Sequence, residues 1–211
     1  MPMSKRSLSL IMGLALLASG CVSVFPESAP AAPRYHISAI EPSAFDGDVA
    51  PVSWSLLVDD PSATHVYNSL RIAVETGPGK VEFLAGAEWA DRAPRLMQSA
   101  LVESFENSGR ILRVGDRSTL NLGDLKLQTD LRIAHLDVTG DGYVVEVNLY
   151  ARLIDRRGNI VAARRFGGNQ NISNDAPDTV VGAFNNIFTQ LFGEITLWTF
   201  DTGAVVLEGV S

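Results

Sequence analysis

The sequence predicts an α+β domain in which a mostly antiparallel sheet carries two main helices packed on one face, a single domain behind a lipidated N-terminus and a flexible tether. Three patterns carry that prediction. Between residues 125 and 153 apolar and polar side chains alternate, as in strands covered on one face. Around 96–105, and again at 180–198, apolar residues recur every three or four positions, as on helices with one buried stripe. Ahead of them, an N-terminal apolar run ends at the only cysteine, Cys21.

Lys5 and Arg6 precede ten apolar or small residues from Leu8 to Leu17, about half of the ~20 needed to span a bilayer. Residues 1–20 therefore read as a signal peptide rather than a spanning helix. The run Leu16-Leu17-Ala18-Ser19-Gly20-Cys21 is how a bacterial lipoprotein begins: small residues admit a peptidase, and the Cys21 thiol takes a diacylglycerol before its freed amino group takes an acyl chain. The bland alternative is a secretory signal with a chance cysteine. Each buried methylene contributes about 0.8 kcal/mol, so two or three chains hold where one would exchange. This S-diacylglycerol and N-acyl lipid on Cys21 is the only attached group expected, with no cofactor and no metal. An Asp after the cysteine resembles an inner-membrane retention signal, and Val22 stands there instead. The expected location is the outer membrane, facing the periplasm, with inner-membrane anchoring as the alternative.

Residues 21–33 form the lipidated N-terminus and a Pro/Ala-rich tether; twelve residues at ~3.1 Å each reach roughly 35–40 Å. Residues 34–211 are long enough for one domain with a real core. Strands are expected at 34–40, 53–58 and 69–75, then at 80–84 after the Gly77-Pro78-Gly79 turn. A helix follows, burying Leu96, Met97, Ala100, Leu101 and Phe105 while Arg95, Gln98, Glu103 and Glu106 fall elsewhere. Asp91 is its cap candidate, Pro94 suits its first turn, and Gly109 its exit. Leu125, Leu127, Thr129, Leu131 and Ile133 then share one strand face. Val145, Val147, Leu149, Ala151 and Leu153 share the next, and residues 160–166 complete an antiparallel meander. The last helix runs from about 178 to 199, with Val180, Phe184, Ile187, Phe188, Leu191, Ile195 and Trp198 as its stripe. Residues 200–211, with Val205-Val206-Leu207 between glycines, are expected to be an edge strand or a partner-binding tail.

Removing residues 1–20 takes two bases and no acid, so the 17 basic residues become 15 against 24 acidic ones and the net charge moves from −7 to −9. Such a chain lacks the basic footprint of a nucleic-acid binder and is repelled by anionic headgroups. With Cys21 acylated no thiol remains for a disulfide. Asp137-Val138-Thr139-Gly140-Asp141-Gly142 resembles the opening of a calcium loop, but its twelfth position is Asn148, within a strand pattern, where such a loop requires a bidentate Glu. A hairpin turn is the reading. His36, His65 and His135 show no metal-ligand spacing, and no nucleophile elbow, phosphate loop or dinucleotide fingerprint is present. The chain reads as non-enzymatic.

The stretch from Arg71 through Gly77-Pro78-Gly79, Glu88-Trp89-Ala90-Asp91 and Pro94 to Gln98 resembles the ABC-type transport auxiliary lipoproteins, and the resemblance continues through 101–111 and Ala183-Phe184-Asn185-Asn186. Arg92-Ala93 departs from the Pro that often follows the Asp in that family. The resemblance implies an α+β periplasmic domain over 34–211. It further implies a non-catalytic accessory component of an MCE-type ABC transporter that moves phospholipids or related lipids between the two membranes. The implied partners are the MCE-domain protein and its ABC permease and ATPase, with the membrane reached through the lipid anchor. It transfers Cys21 as the lipidation site and no catalytic residue. The alternatives are a periplasmic lipid-binding carrier and a structural envelope lipoprotein without a transport role. Trp89, Asp91 and Arg95 are the candidate partner contacts, Trp89 being either a hot spot or a lid over the 97–105 helix.

Cys21→Ala is expected to leave an uncleaved precursor that incorporates no labelled palmitate. Normal labelling of the variant would overturn the lipoprotein reading.

Overall fold

Residues 32–45 and 51–209 are described by the computed structural model. Cys21, the signal peptide and the tether up to residue 31 lie outside the described residues. In chain order the elements are β1 (Arg34–Tyr35), β2 (Leu56–Val58), β3 (Ser62–Ala63), β4 (Arg71–Gly77), β5 (Lys80–Trp89), α1 (Ala93–Asn107), β6 (Val114–Gly115), β7 (Leu125–Asp137), β8 (Tyr143–Asp155), β9 (Ile160–Ile172) and α2 (Pro177–Gly203). They build one nine-stranded sheet whose long ladders, β7 with β8, β8 with β9 and β4 with β5, are antiparallel. The chain from residue 32 onward is a compact unit, and its core cluster is drawn entirely from Ile37 to Phe200.

Strand β7 organises the sheet. One edge pairs with β8 from Leu125 to Asp137. The other edge is shared, in series, by three short strands that all run parallel to it: β2 opposite 125–127, β3 opposite 130–131 and β4 opposite 135–137. The meander is as the alternation predicts, but these parallel seams are not legible in it. β9 also runs on to Ile172, past Gly167 and Gly168, and β5 runs on to Trp89.

The alternation on β7 changes phase midway. Leu131 faces Leu149 while Ile133 faces Asn148, so two residues on β7 advance against one on β8 and Arg132 is the extra residue of a bulge. Leu125, Leu127, Thr129 and Leu131 are fully buried, as expected. Ile133 is not: it turns to the outer face, and Ala134 and Leu136 take the core positions.

Helix α1 buries Met97, Ala100, Leu101 and Phe105. Gln98, expected on the wet side, is also buried and donates from Nε2 to the Val58 carbonyl at 3.1 Å, which satisfies an end of β2. Gly109 leaves the helix at φ +64°, the left-handed exit that glycine adopts without strain. Asp91 does not cap: Arg92 occupies the N-cap position without a side-chain bond, and Asp91 Oδ1 instead accepts from the Arg92 amide at 2.7 Å. Helix α2 buries Val180, Phe184, Ile187, Phe188, Leu191 and Ile195, and the rings of Phe184, Phe188 and Phe192 run along it at 5.7–6.3 Å between centroids. Trp198 is half-buried, edge-on to Phe166. The helix does not stop at 199. It continues to Gly203, where a Cβ would run into the Trp54 indole, and then widens into a π-turn over Ala204–Glu208. The tail is therefore helical through 208, not an edge strand.

Two expected strands are shorter than their patterns. Only Arg34–Tyr35 of 34–40 pairs as a strand; beyond it, side chains of both helices replace a strand partner. The Ser38 amide donates to Asn185 Oδ1, the Ile40 amide to Ser104 Oγ, and Asn107 Nδ2 to the Ile40 carbonyl. Of 53–58 only Leu56–Val58 is strand. The 138–142 turn joins β7 to β8 as a hairpin, with the Thr139 amide donating to Asp137 Oδ1 and Asn148 inside β8. Among the described residues no helix is long and apolar enough to cross a membrane.

Phe188 is fully buried at the centre of the α2 stripe. Phe188→Ala is expected to cost about 3–5 kcal/mol, the range for deleting a buried aromatic, read as a fall in the urea midpoint at unchanged m-value. Because 137–148 is a hairpin, adding calcium is expected to leave the melting temperature unchanged. A rise of several degrees would show that the turn binds the ion.

Candidate functional site

The two ends of the domain differ in chemistry. At one end the described chain begins. Pro33 and Tyr35 carbonyls accept from the Glu88 and Ala90 amides, so β1 lies parallel against the end of β5. The Tyr35 hydroxyl donates to Asp178 Oδ1 at 2.7 Å in the first turn of α2, and that hydrogen bond raises the phenol above its ordinary value. The entry point is thus pinned to the start of the longest helix.

The three candidate contacts also lie here, and the structure separates them. Trp89 is buried at 3% exposure, edge-on to Phe184 with centroids 5.5 Å apart, and its amide donates to the Leu70 carbonyl. It is a core residue, so its indole does not present itself to a partner. Asp91 and Arg95 are solvent-facing and pair with each other at 3.4 Å across one helical turn. An exposed pair of this kind contributes on the order of 0–1 kcal/mol and leaves neither charge uncompensated.

The opposite end is where β7 begins and α2 finishes. Seven of the large apolar side chains left exposed belong to segments that register with this end. Leu112, at 86% exposure, follows the Val52–Ile111 bridge; Leu122, at 78%, precedes β7; Ile160 opens β9 opposite Ile154. Leu197, Val205, Val206 and Leu207 lie on the last turns of α2 and the π-turn, beside Trp54. Scattered single hydrophobics are ordinary on a surface, and it is their concentration at one end that makes these residues candidates for a contact surface.

Two carboxylates at this end, Asp59 and Asp124, pair with Arg113, Arg117, Arg156 and Lys126. Asp124 accepts from the Ser55 hydroxyl and amide at 2.6 and 2.8 Å and pairs with Arg156 at 2.9 Å and Arg113 at 3.9 Å; the serine bonds lead in holding its carboxyl below the ordinary value. Asp59 is largely buried, which by itself would raise its pKa. The Arg117 hydrogen bond at 2.7 Å and the nearby Lys126 overcome that, and the net shift is downward. A partner that covers the apolar residues beside these pairs leaves Asp59 and Asp124 compensated. Sequence reasoning missed this end because its residues come from five separate segments, and no local pattern joins them.

The histidines divide as surface and satisfied core. His36 and His65 are exposed, while His135 is buried on the outer face, with Tyr67 Oη 3.2 Å from Nδ1 and Glu75 3.4 Å from Nε2. Among the described residues no group of His, Cys, Asp and Glu is placed to hold a metal ion.

Residues 35–196 match the family described as ABC-type transport auxiliary lipoprotein component, and the chain belongs to that family. The fold is similar to the crystal structure of protein XCC0632 from Xanthomonas campestris, at TM-score 0.73 and 31% identity, over 81% of this chain and 96% of that one. A second solved structure, of an uncharacterized protein, shares the fold at TM-score 0.61 and 15% identity, over 79% and 97% of the two chains. An uncharacterized protein of Bradyrhizobium diazoefficiens is 31% identical over 151 residues, 70% of this chain, and the chain spans 40% of that relative's length.

Both lowered carboxylates ionise more readily folded than unfolded. Their stabilisation is present above the unfolded value of ~3.9 and is lost as pH falls through the lower folded values. The melting temperature is therefore expected to hold from pH 7 to about 4 and fall below it. Asp59→Asn is expected to lower the plateau and flatten the fall, and an unchanged slope would show that Asp59 carries none of it.

Proposed function

We propose that the protein is a lipid-anchored, non-catalytic accessory component of an MCE-type ABC transporter. It would sit in the periplasm on the outer membrane and help move phospholipids or related lipids between the membranes. Membership of the ABC-type transport auxiliary lipoproteins supports a role beside a transporter. The observation that carries the docking part of the proposal is the polarity of the domain. The chain from Cys21 enters at the Tyr35–Asp178 bond, and the exposed apolar residues lie at the other end of α2. A helix of 27 residues at ~1.5 Å each is about 40 Å long, so the point where the domain begins and its exposed apolar residues stand about a helix length apart. That arrangement suits an adaptor that holds one membrane at its tether and meets a protein complex with its far end.

The acyl chains serve location and the fold serves recognition. A contact of roughly standard size, ~800 Å² per side, suffices at modest affinity because anchoring raises the effective concentration. The lipid on Cys21 is the only attached group in this reading. MCE protein, permease and ATPase are its partners.

The chain from residue 32 onward, which carries its own core, is expected to retain the periplasmic part of the MCE-domain protein in co-purification. Leu112→Asp combined with Leu207→Asp is expected to abolish retention at an unchanged melting temperature, whereas Asp91→Asn with Arg95→Gln is expected to leave it intact. Trp89 is unsuitable for this test, because truncating a buried indole costs folding stability. Failure of the unaltered domain to retain the MCE protein would overturn the docking role.

A further inference from the structure

A cavity of about 460 Å³ opens between the 40–45 segment, the exit of α1 and the second half of α2. Its size falls within the ~300–1,000 Å³ typical of small-molecule sites. Ile40, Phe45, Leu197 and Phe200 give it apolar walls. Two polar groups interrupt them. Thr196 is fully buried and its hydroxyl has no hydrogen-bond partner, while Arg110 lies over the Phe200 ring, 4.3 Å from its centroid, with its buried Nε also unpartnered.

Arg110 differs from the arginines that Asp59 and Asp124 neutralise. Arg113, Arg117 and Arg156 each pair with Asp59 or Asp124, but no carboxylate of the described residues pairs with Arg110. A guanidinium held against an aromatic face, with an unused donor, beside an unsatisfied buried hydroxyl, leaves an opening for acceptor oxygens. In a domain of net charge −9 after the leader is removed, such a site selects an anion by local placement rather than by overall field. The apolar walls complete the specification: they require a ligand whose anionic head is joined to a hydrocarbon chain.

We propose that this cavity binds one acyl chain of an anionic amphiphile, with the head group on Arg110 and Thr196 and the chain between Ile40, Phe45 and Leu197. The site goes beyond the docking role and does not depend on it. Gly193 forms part of the wall. A Cβ there meets only Ile40 Cδ1 at 3.8 Å, so alanine fits, whereas a larger side chain at this position projects into the ligand space.

The test is binding to the chain from residue 32 onward by titration calorimetry, using palmitate, palmitoyl-lysophosphatidylglycerol, hexadecan-1-ol and inorganic phosphate. The first two are expected to bind, and whichever binds tighter identifies a carboxylate or a phosphate head as preferred. Hexadecanol, with the same chain and no charge, is expected to be weaker by about tenfold or more, as is either anionic ligand on Arg110→Gln. Gly193→Phe is expected to abolish binding and Gly193→Ala to preserve it, with melting temperatures checked for each; should Gly193→Phe fail to fold, Arg110→Gln decides. The proposal is overturned if neither anionic amphiphile binds, if hexadecanol or phosphate alone binds as tightly, or if Arg110→Gln leaves affinity unchanged. Loss of amphiphile binding with the MCE interaction retained would leave the docking role standing and remove only this site.

Discussion

Every other element takes its position from the two edges of β7. Its β8 edge is a continuous antiparallel ladder that a hairpin sets by itself. Its other edge must accept β2, β3 and β4 in succession, each parallel and each only two or three residue pairs long. Short parallel pairings contribute little alone, and they persist because the side chains beneath them are buried on both sides, Leu56 and Val58 against Leu125 and Leu127 being the clearest case. The bulge at Arg132 makes the sharing possible. It adds local twist and re-phases the strand, so that Leu125–Leu131 and then Ala134 and Leu136 serve one core although they differ in parity.

Helix α2 is the strut laid across that sheet. Tyr35 fixes its first turn to the incoming chain, Phe184 receives Trp89, Phe200 receives Trp54 and Phe105, and Gly203 lets the Trp54 indole close against the helix backbone. Aromatic contacts along its whole length make it hard to move one end without the other. A force or contact applied at the far end is therefore borne by the same element that ties down the tether entry. For an adaptor this rigidity matters more than any single surface residue.

The sequence was legible where one period governs a run of residues. The β7–β9 meander, both helical stripes and the 138–142 hairpin follow from alternation and three-to-four spacing, with no long-range information needed. It failed where partners are distant. Ile133 keeps the alternation on paper and loses it at a bulge set by β8. Gln98 looks wet and is buried because Val58 needs a donor. Residues 37–40 look like strand and are held by Ser104, Asn107 and Asn185 instead. Trp89 reads either as a contact or as a lid over the 97–105 helix, and the buried alternative holds with a different partner, the indole filling the space against Phe184 of α2. The far end was invisible for the same reason: Leu112, Leu122, Ile160 and Leu207 are brought to one end by the sheet and α2 alone.

In the proposed lipid-anchored reading, charge decides how such a domain would stand on its membrane. Its net negative charge opposes adsorption to anionic headgroups, and acyl chains on Cys21 would act only through the residues that precede the domain, so attraction and repulsion would be applied at different points of the chain. The lowest-energy arrangement keeps the tether entry nearest the lipid and the bulk of the acidic surface away from it. The far end, where Asp59 and Asp124 neutralise their arginines, gains nothing from turning toward the headgroups. Its apolar residues would in that arrangement point away from the headgroups, where a protein surface is the available means of removing them from water. Orientation in this account needs no basic patch and no second anchor. It would follow from a lipid ahead of the domain, the acidic balance of the chain and the length of α2 between the start of the domain and its apolar end.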